Sequence, residues 1–198
     1  MQRTIVKNLV SSVIAIVLLT AFFGFGYPAL MTGFAQVAFR NKADGSLVKV
    51  DGKIVGSKLA AQEFKSPRYF HSRPSGVGYN AAGTSFANLG PTNPDLAKNV
   101  KAAAEAILKL ERPYNPGLTI GDIPVDAVTT SASGIDPHIS PANAALQSRR
   151  IAAVRNLPLA TVQKLIDQNT DGRGLGFFGE PGVNVLKLNI ALDKESAQ

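Results

Sequence analysis

From Asn8 to Phe39 the chain carries no charged side chain, and within that run Leu9 to Met31 is almost wholly apolar. At about 1.5 Å per residue a helix over 9–31 reaches roughly 34 Å, enough to cross a hydrocarbon core of about 30 Å with slight tilt. Its Leu, Ile, Val and Phe side chains favour insertion by about −4 to −7 kcal/mol as an upper bound, because the per-residue values hold at the helix centre. Arg3 and Lys7 precede the segment and no cation follows it before Arg40. Cations gather on the cytoplasmic side of a span, so residues 1–8 are expected in the cytoplasm and 32–198 outside it. A cleaved signal peptide shares the basic start and apolar core. The apolar part here exceeds a signal core, and the nearest small-x-small site, Gly33-Phe34-Ala35, is distant and poor, so a retained anchor is expected. Ser11, Ser12, Ala15, Gly24 and Gly26 would let a second helix approach closely.

Beyond the anchor, about 160 residues remain, the size of one domain with its own core. The pattern predicts a mixed fold of the α+β class. Leu47 to Val50, Asp51-Gly52 and Lys53 to Val55 read as a hairpin, because Asp-Gly accepts the positive φ angles of a tight turn. Residues 66–94 are rich in Pro, Gly, Asn and Ser and predict irregular backbone. Asn93-Pro94 opens a helix whose Leu96, Val100, Ala103, Ile107 and Leu110 repeat at helical spacing, which predicts a core-facing stripe. Ser140-Pro141 opens a short helix through Ala144, Ala145, Ile151 and Val154, and Pro158 opens another through Val162, Leu165 and Ile166. From Val183 the alternation of Leu186, Leu188, Ile190 and Leu192 with polar neighbours predicts a strand with one bulge.

Charge and composition narrow the function. The chain's formal +7 falls by two when Arg3 and Lys7 are set aside, and the remaining cations are scattered with no run longer than Arg149-Arg150. That is a solvated surface, and no nucleic-acid partner is expected. Absence of cysteine fits an oxidising compartment without proving one.

Candidate catalytic patterns are few. Gly174 to Gly179 spells a dinucleotide-binding loop, yet it follows a predicted helix and lacks a βαβ unit, so it reads as a connector. Ser46-Leu47-Val48-Lys49 spells the Ser-x-x-Lys of acyl-transfer enzymes, but in a strand the two residues face opposite ways. A phosphate-cradling Gly-x-x-x-x-Gly-Lys-Ser/Thr loop is absent. His71 and His138 stand far apart, neither at metal-ligand spacing from a carboxylate, so no zinc site is expected. A Ser-His-Asp set made from Ser133 or Ser140 with His138 or His71 stays open by composition, which keeps a membrane-anchored periplasmic serine hydrolase as the alternative reading. A free periplasmic binding module is a third, and requires cleavage of the anchor.

Several separated motifs share one likeness. They are Phe70-His71-Ser72-Arg73-Pro74, Tyr79-Asn80, Asn88-Leu89-Gly90-Pro91-Thr92-Asn93-Pro94, Pro124-Val125-Asp126, Ser131-Ala132-Ser133-Gly134-Ile135-Asp136-Pro137-His138-Ile139-Ser140 and Val183-Asn184-Val185-Leu186. In that order, and with a single N-terminal span, the chain resembles KdpC, the C subunit of the Kdp potassium-transporting ATPase. The local departures are Ser148-Arg149-Arg150 after Gln147, and Thr84-Ser85-Phe86-Ala87 where the family tends to more Gly and Ser.

The resemblance implies a non-catalytic accessory subunit in a bacterial inner membrane, with its main domain periplasmic. It implies as partners the ATPase subunit (B), the channel-like potassium-binding subunit (A), the small subunit (F) and the lipid bilayer. The Asp-Lys-Thr-Gly phosphorylation motif of the ATPase subunit is absent; the one Asp-Lys is Asp193-Lys194-Glu195-Ser196. It also implies a catalytic chaperone that raises the ATP affinity of the ATPase subunit, with no cofactor bound by this chain alone and ATP only within the complex. Because ATP is cytosolic and only residues 1–8 are expected there, any such effect is expected to pass through the anchor helix. A structural staple is expected ahead of a role in filtering potassium at its entrance, since the net positive charge does not make a cation funnel. Candidate contacts with partners, or organisers of loops, are Arg73, Asn80, Asn93, His138 and Arg150, polar residues in motifs expected to be irregular.

Overall fold

The computed structural model describes residues 2–83 and 88–196; the Thr84 to Ala87 departure lies outside the described residues. The chain divides into two compact units, Met1–Leu47 and Val48–Gln198.

In the first unit Arg3–Ala38 forms a single helix of 36 residues, long and apolar enough to cross a membrane, with none of its most apolar window buried. It comprises α1 (Gln2–Leu19), a π-helical stretch Thr20–Gly26, and α2 (Tyr27–Ala38). The widened turn, in which the Tyr27 N–H donates to the Phe22 carbonyl, stops just before Pro28. Proline has no N–H for the carbonyl four residues back, and a π turn is one way a helix absorbs that loss. A short α3 (Arg40–Ala43) follows, with Gln36 donating to Asp44 at 3.0 Å.

The expected hairpin, β1 (Leu47–Val50) and β2 (Lys53–Ser57), follows, with all but Leu47 in the second unit. Asp51 and Gly52 have φ of 49° and 77°, the positive pair that a primed turn requires. Ser46 is buried ahead of β1 and Lys49 is exposed within it, so the Ser-x-x-Lys letters do not converge. No helix or strand occurs between Leu59 and Asn93 among the described residues.

α4 (Pro94–Glu111) starts where the capping signal puts it, the Asn93 side chain accepting from the Asp95 N–H. Its expected core stripe is only half-buried; the deeply buried positions are Ala104, Leu108 and Glu111. A turn of 3-10 helix (Ile120–Asp122) and α5 (Val125–Val128) lead to β3 (His138–Ile139). α6 (Pro141–Arg155) is capped by Ser140, which accepts from the Asn143 N–H, and ends on Asn156 in the left-handed conformation at φ 55°. It runs to Arg155, one residue past the expected Val154, and at 15 residues is not short; Ala145 is exposed, and its buried face includes Asn143, Gln147, Ser148, Arg150 and Arg155. α7 (Leu159–Gln168) buries Val162, Leu165 and Ile166 as its spacing requires.

β4 (Thr170–Asp171) and β5 (Gly182–Asn184) join β3 in an antiparallel sheet of order β3-β5-β4, with His138 opposite Asn184 and Thr170 opposite Val183. The Gly174 to Gly179 segment is the loop between β4 and β5, closed by a bridge between Gly174 and Phe178, and no helix follows it as a dinucleotide site requires. Gly182 lets His138 pack close: a Cβ there would lie 3.1 Å from the Cβ of His138, tight enough that His138 would have to shift by a few tenths of an ångström.

The strand expected from Val183 to Leu192 ends at Asn184 and becomes α8 (Val185–Glu195). Asn184 caps it by accepting from the Lys187 N–H, and Val185, Leu188, Asn189 and Leu192 form the buried face at helical spacing. Alternation along Leu186, Leu188, Ile190 and Leu192 is accidental; the segment holds no Gly or Pro, and good helix formers follow a cap. The core joins Phe70, Ile139 and Val183 to Ala144 and Ile151 of α6, Val162 of α7, and Leu188 and Leu192 of α8.

A strand would place Leu188 and Ile190 on one face, whereas the helix buries Leu188 and leaves Ile190 half-exposed. Leu188→Ala should cost about 2–5 kcal/mol and Ile190→Ala less than half as much. Urea unfolding of the two variants checks this; equal losses would restore the strand.

Candidate functional site

The backbone from Pro67 to His71 runs without a strand partner, and side chains from two helices, α6 and α8, take its hydrogen bonds. Asn189 pairs with Phe70 as a second strand would, its Oδ1 accepting from the Phe70 N–H at 2.9 Å and its Nδ2 donating to the Phe70 carbonyl at 3.0 Å. Gln147 does the same for His71, accepting from its N–H at 2.8 Å and donating to its carbonyl at 3.2 Å. Gln147 also donates to Asn143 Oδ1 at 2.9 Å. Arg155 donates to the Arg68 carbonyl at 2.6 Å and to Asp193 at 2.8 Å, and its guanidinium lies 4.8 Å from the centre of the Tyr69 ring.

Arg150 is the hub. It lies within α6, not in a loop, with 0% of its surface exposed. Its Nε donates to Glu111 Oε1 at 2.8 Å, Nη2 to Gln147 Oε1 at 3.0 Å, and Nη1 to the carbonyls of Tyr69, at 3.0 Å, and Pro67. Burial pushes the Glu111 carboxyl above the ordinary carboxylate range, against the pull of the Arg150 charge and hydrogen bond. Glu111 Oε2 is buried and has no partner among the described residues.

A second cluster lies on the sheet. Arg73 Nη1 donates to Asp136 Oδ2 at 3.1 Å, His138 Nε2 lies 3.1 Å from Asp171 Oδ2, and Lys187 Nζ lies 3.4 Å from the other Asp171 oxygen. Desolvation raises the Asp171 pKa, but the His138 bond and the Lys187 charge outweigh it and hold the carboxyl below its usual range. Asn80 is exposed, its Oδ1 accepting from the Ala82 N–H at 3.0 Å, and Asn93 caps α4. Of the five candidate residues, the structure therefore joins Arg73 to His138 through Asp136, and leaves Asn80, Asn93 and Arg150 each in separate surroundings.

The serines of the hydrolase reading bond elsewhere. Ser140 Oγ donates to Asp126 at 2.8 Å and accepts from the Asn143 N–H at 3.0 Å; Ser133 Oγ pairs with Ser131 Oγ at 3.1 Å and accepts from the Ile135 N–H at 3.2 Å. His71 Nε2 bonds the Ser66 carbonyl at 3.1 Å. Among the described residues neither serine is bonded to a histidine, so the triad does not assemble. Among the same residues, no three His, Cys, Asp or Glu side chains are placed to hold a metal ion.

A cleft of about 390 Å³ opens between α4, α6 and the 63–79 segment, lined by Phe64, Ala103, Ile107, Leu110, Glu111 and Leu146 among others. Sequence reading does not find Glu111, Gln147, Arg155 and Asn189. Their one signal is a polar residue at a helix-face position of an otherwise apolar stripe, which hydropathy alone assigns to the surface.

Residues 9–194 match the family model described as KdpC: K+-transporting ATPase, c chain. The chain belongs to the KdpC family. A relative from Koribacter versatilis, the potassium-transporting ATPase KdpC subunit, is 46% identical over 94% of each chain. Proteins of the same name from Methylococcus capsulatus and Burkholderia orbicola are 50% identical over 86% of this chain and 88% of theirs, and 47% identical over 99% of both. The Phe70 to Pro74 motif that carried the resemblance to KdpC begins in the segment that Gln147 and Asn189 hold. The name these relatives carry is that of an accessory subunit, not the catalytic one.

Arg150→Ala would strand Glu111 and two backbone carbonyls, with an expected loss of about 3–5 kcal/mol. Arg150→Lys should not restore it, because one ammonium cannot reach acceptors set in the plane of a guanidinium. Denaturant unfolding of the detergent-solubilised chain measures both.

Burial holds the His71 imidazole below its usual pKa of 6.5; the Ser66 bond opposes this and the Arg150 charge adds to it. A depressed folded-state pKa contributes stability above the unfolded value that is lost as pH falls through the folded one. Unfolding midpoints of the native chain should therefore fall more steeply than those of His71→Gln between about pH 7 and about pH 5.

Proposed function

We propose that this chain is the membrane-tethered accessory subunit of an ATP-driven potassium uptake complex, with no chemistry of its own. The observation that carries the reading is the family match across nearly the whole chain, including the long apolar helix. Its consequence for mechanism comes from the polar groups: His71, His138, Ser133 and Ser140 are all engaged in holding loops.

In this reading Leu9 to Met31 spans the bacterial inner membrane, residues 1–8 lie in the cytoplasm and the 32–198 domain lies in the periplasm. The ATPase subunit, the channel-like potassium-binding subunit and the small subunit are the partners. The chain raises the ATP affinity of the ATPase subunit as a catalytic chaperone, and the effect travels through the helix as a coupling free energy between distant sites, without nucleotide contact by the domain. The π turn ahead of Pro28 supports this, since a helix interrupted there has a place to bend.

Extraction of native membranes in mild detergent and capture by a C-terminal tag should bring down partner subunits with potassium-stimulated ATP hydrolysis. An isolated, inactive chain would overturn the reading. Because the chain has no cysteine, Ala160→Cys, at an exposed position, supplies a unique label. A membrane-impermeant maleimide should modify it in spheroplasts without lysis, and modification only after lysis would reverse the orientation.

A further inference from the structure

The β1–β2 hairpin forms a sheet of its own, separate from the three-stranded one, and no residue from Val48 to Leu59 is buried. A two-stranded sheet is marginal in water unless a further strand or another packed surface covers one of its faces. Its two faces differ. Alternation along β1 leaves Val48 and Val50 half-buried and Lys49 exposed. The two-residue turn at Asp51 and Gly52 sets Ile54 across from Lys49, on that same outward face, and Ile54 is 58% exposed. Immediately after β2 come Lys58, exposed, and Leu59, 62% exposed. Neither Lys49 nor Lys58 makes an ion pair among the described residues.

Position in the chain and charge together say what meets this face. The hairpin opens the second unit, and only residues 39–47 separate Val48 from Ala38, the last residue of the long apolar helix. Extended chain covers at most about 3.5 Å per residue, so Val48 lies within about 35 Å of Ala38. A tether that short keeps the hairpin at high effective concentration beside any bilayer the helix crosses. Exposed aliphatic side chains interspersed with unpaired lysines suit the bilayer surface, where apolar groups sink to the acyl boundary and ammonium groups stay with the phosphates. A strand from a partner is the poorer occupant, because lysines on a short exposed sheet discourage strand addition.

We propose that the outward face of the hairpin docks on the bilayer that holds the anchor helix, with Ile54 and Leu59 at the headgroup boundary and Lys49 and Lys58 on the phosphates of anionic phospholipids. The inference rests on the reading that Leu9 to Met31 spans a membrane, and it holds whichever side the domain faces. Docking of this kind would fix the first element of the domain against the membrane, so that the domain is not free to swing about its tether.

The test uses the full chain in nanodiscs, with one cysteine introduced at a time to carry an environment-sensitive fluorophore: Ile54→Cys on the hairpin, Leu18→Cys in the anchor helix, and Ala160→Cys at an exposed position of α7. In discs of mixed phosphatidylcholine and phosphatidylglycerol, lipid carrying a nitroxide near its headgroup should quench the I54C label strongly and the A160C label hardly at all. The L18C label, quenched by a nitroxide deep in the acyl chain, reports that the helix has inserted. Lys49→Gln with Lys58→Gln should lower the ratio of docked to free hairpin by about 30-fold, at about fivefold per lysine, and leave the L18C signal unchanged. Phosphatidylcholine alone should act in the same direction. If L18C is quenched while I54C behaves as A160C does, the inference falls and the accessory-subunit reading stands. Quenching at I54C that ignores both lipid charge and the lysine substitutions overturns it too, as does shielding of I54C that appears only when the partner subunits are present. If L18C is not quenched, the spanning helix and the inference fall together.

Discussion

A guanidinium with none of its surface exposed is the constraint around which the folded domain is arranged. Desolvating a cation costs several kcal/mol, and that cost is offset only if its donors meet well-placed acceptors. Arg150 meets Glu111 from α4, Gln147 from its own helix, and the carbonyls of Pro67 and Tyr69. Those contacts bring α4 to α6 and draw the Pro67 to His71 segment against both. Gln147 and Asn189 then complete that segment's hydrogen bonding from the side. A stretch too rich in turn formers to make a strand is held as firmly as one, because amide side chains present the same donor and acceptor pair as a neighbouring backbone.

The same engagement of polar groups explains why a domain with two histidines and several serines in motif-like runs has no assembled catalytic set among its described residues. Asp126 ties Ser140 and Asn143 at the start of α6, Asp136 ties Arg73, and Asp171 ties His138 and Lys187 across the small sheet. Each carboxylate organises a loop or a helix start. Groups so committed give a rigid shape, which is what an accessory subunit presents to its partners. Glu111 stands apart, its buried Oε2 without a partner among the described residues.

Much of this architecture is legible in the sequence where local chemistry decides it. Asn93-Pro94 and Ser140-Pro141 start helices because the side-chain oxygen and the fixed proline φ act within a few residues. Asp51-Gly52 makes its turn for an equally local reason. What sequence reading misplaces depends on tertiary partners. Alternation from Leu186 to Leu192 mimics a strand, since period 2 and period 3.6 coincide over so few positions, and the Asn184 cap decides the outcome. The α4 stripe reads as core, yet its residues end half-buried while Ala104, Leu108 and Glu111 go deepest, because apolar spacing alone does not fix which side of the stripe the rest of the domain covers. Arg150 reads as a residue of an irregular contact site when it is the interior of a helix, because hydropathy does not foresee a buried cation whose partners lie 39 and more than 80 positions away. The family motifs carry what local rules cannot: Phe70 to Pro74 and Val183 to Leu186, remote in sequence, both supply side chains to one packed core.

Native-state hydrogen exchange at the Phe70 and His71 amides tests most directly whether side chains hold this segment as a strand would. Both are expected to exchange only through global unfolding, at the slow rate of the α6 amides and far below that of the exposed loop amide at Ala82. Exchange at the rate of Ala82 would contradict the arrangement around Arg150, and with it the view that the domain's buried polar residues serve its shape.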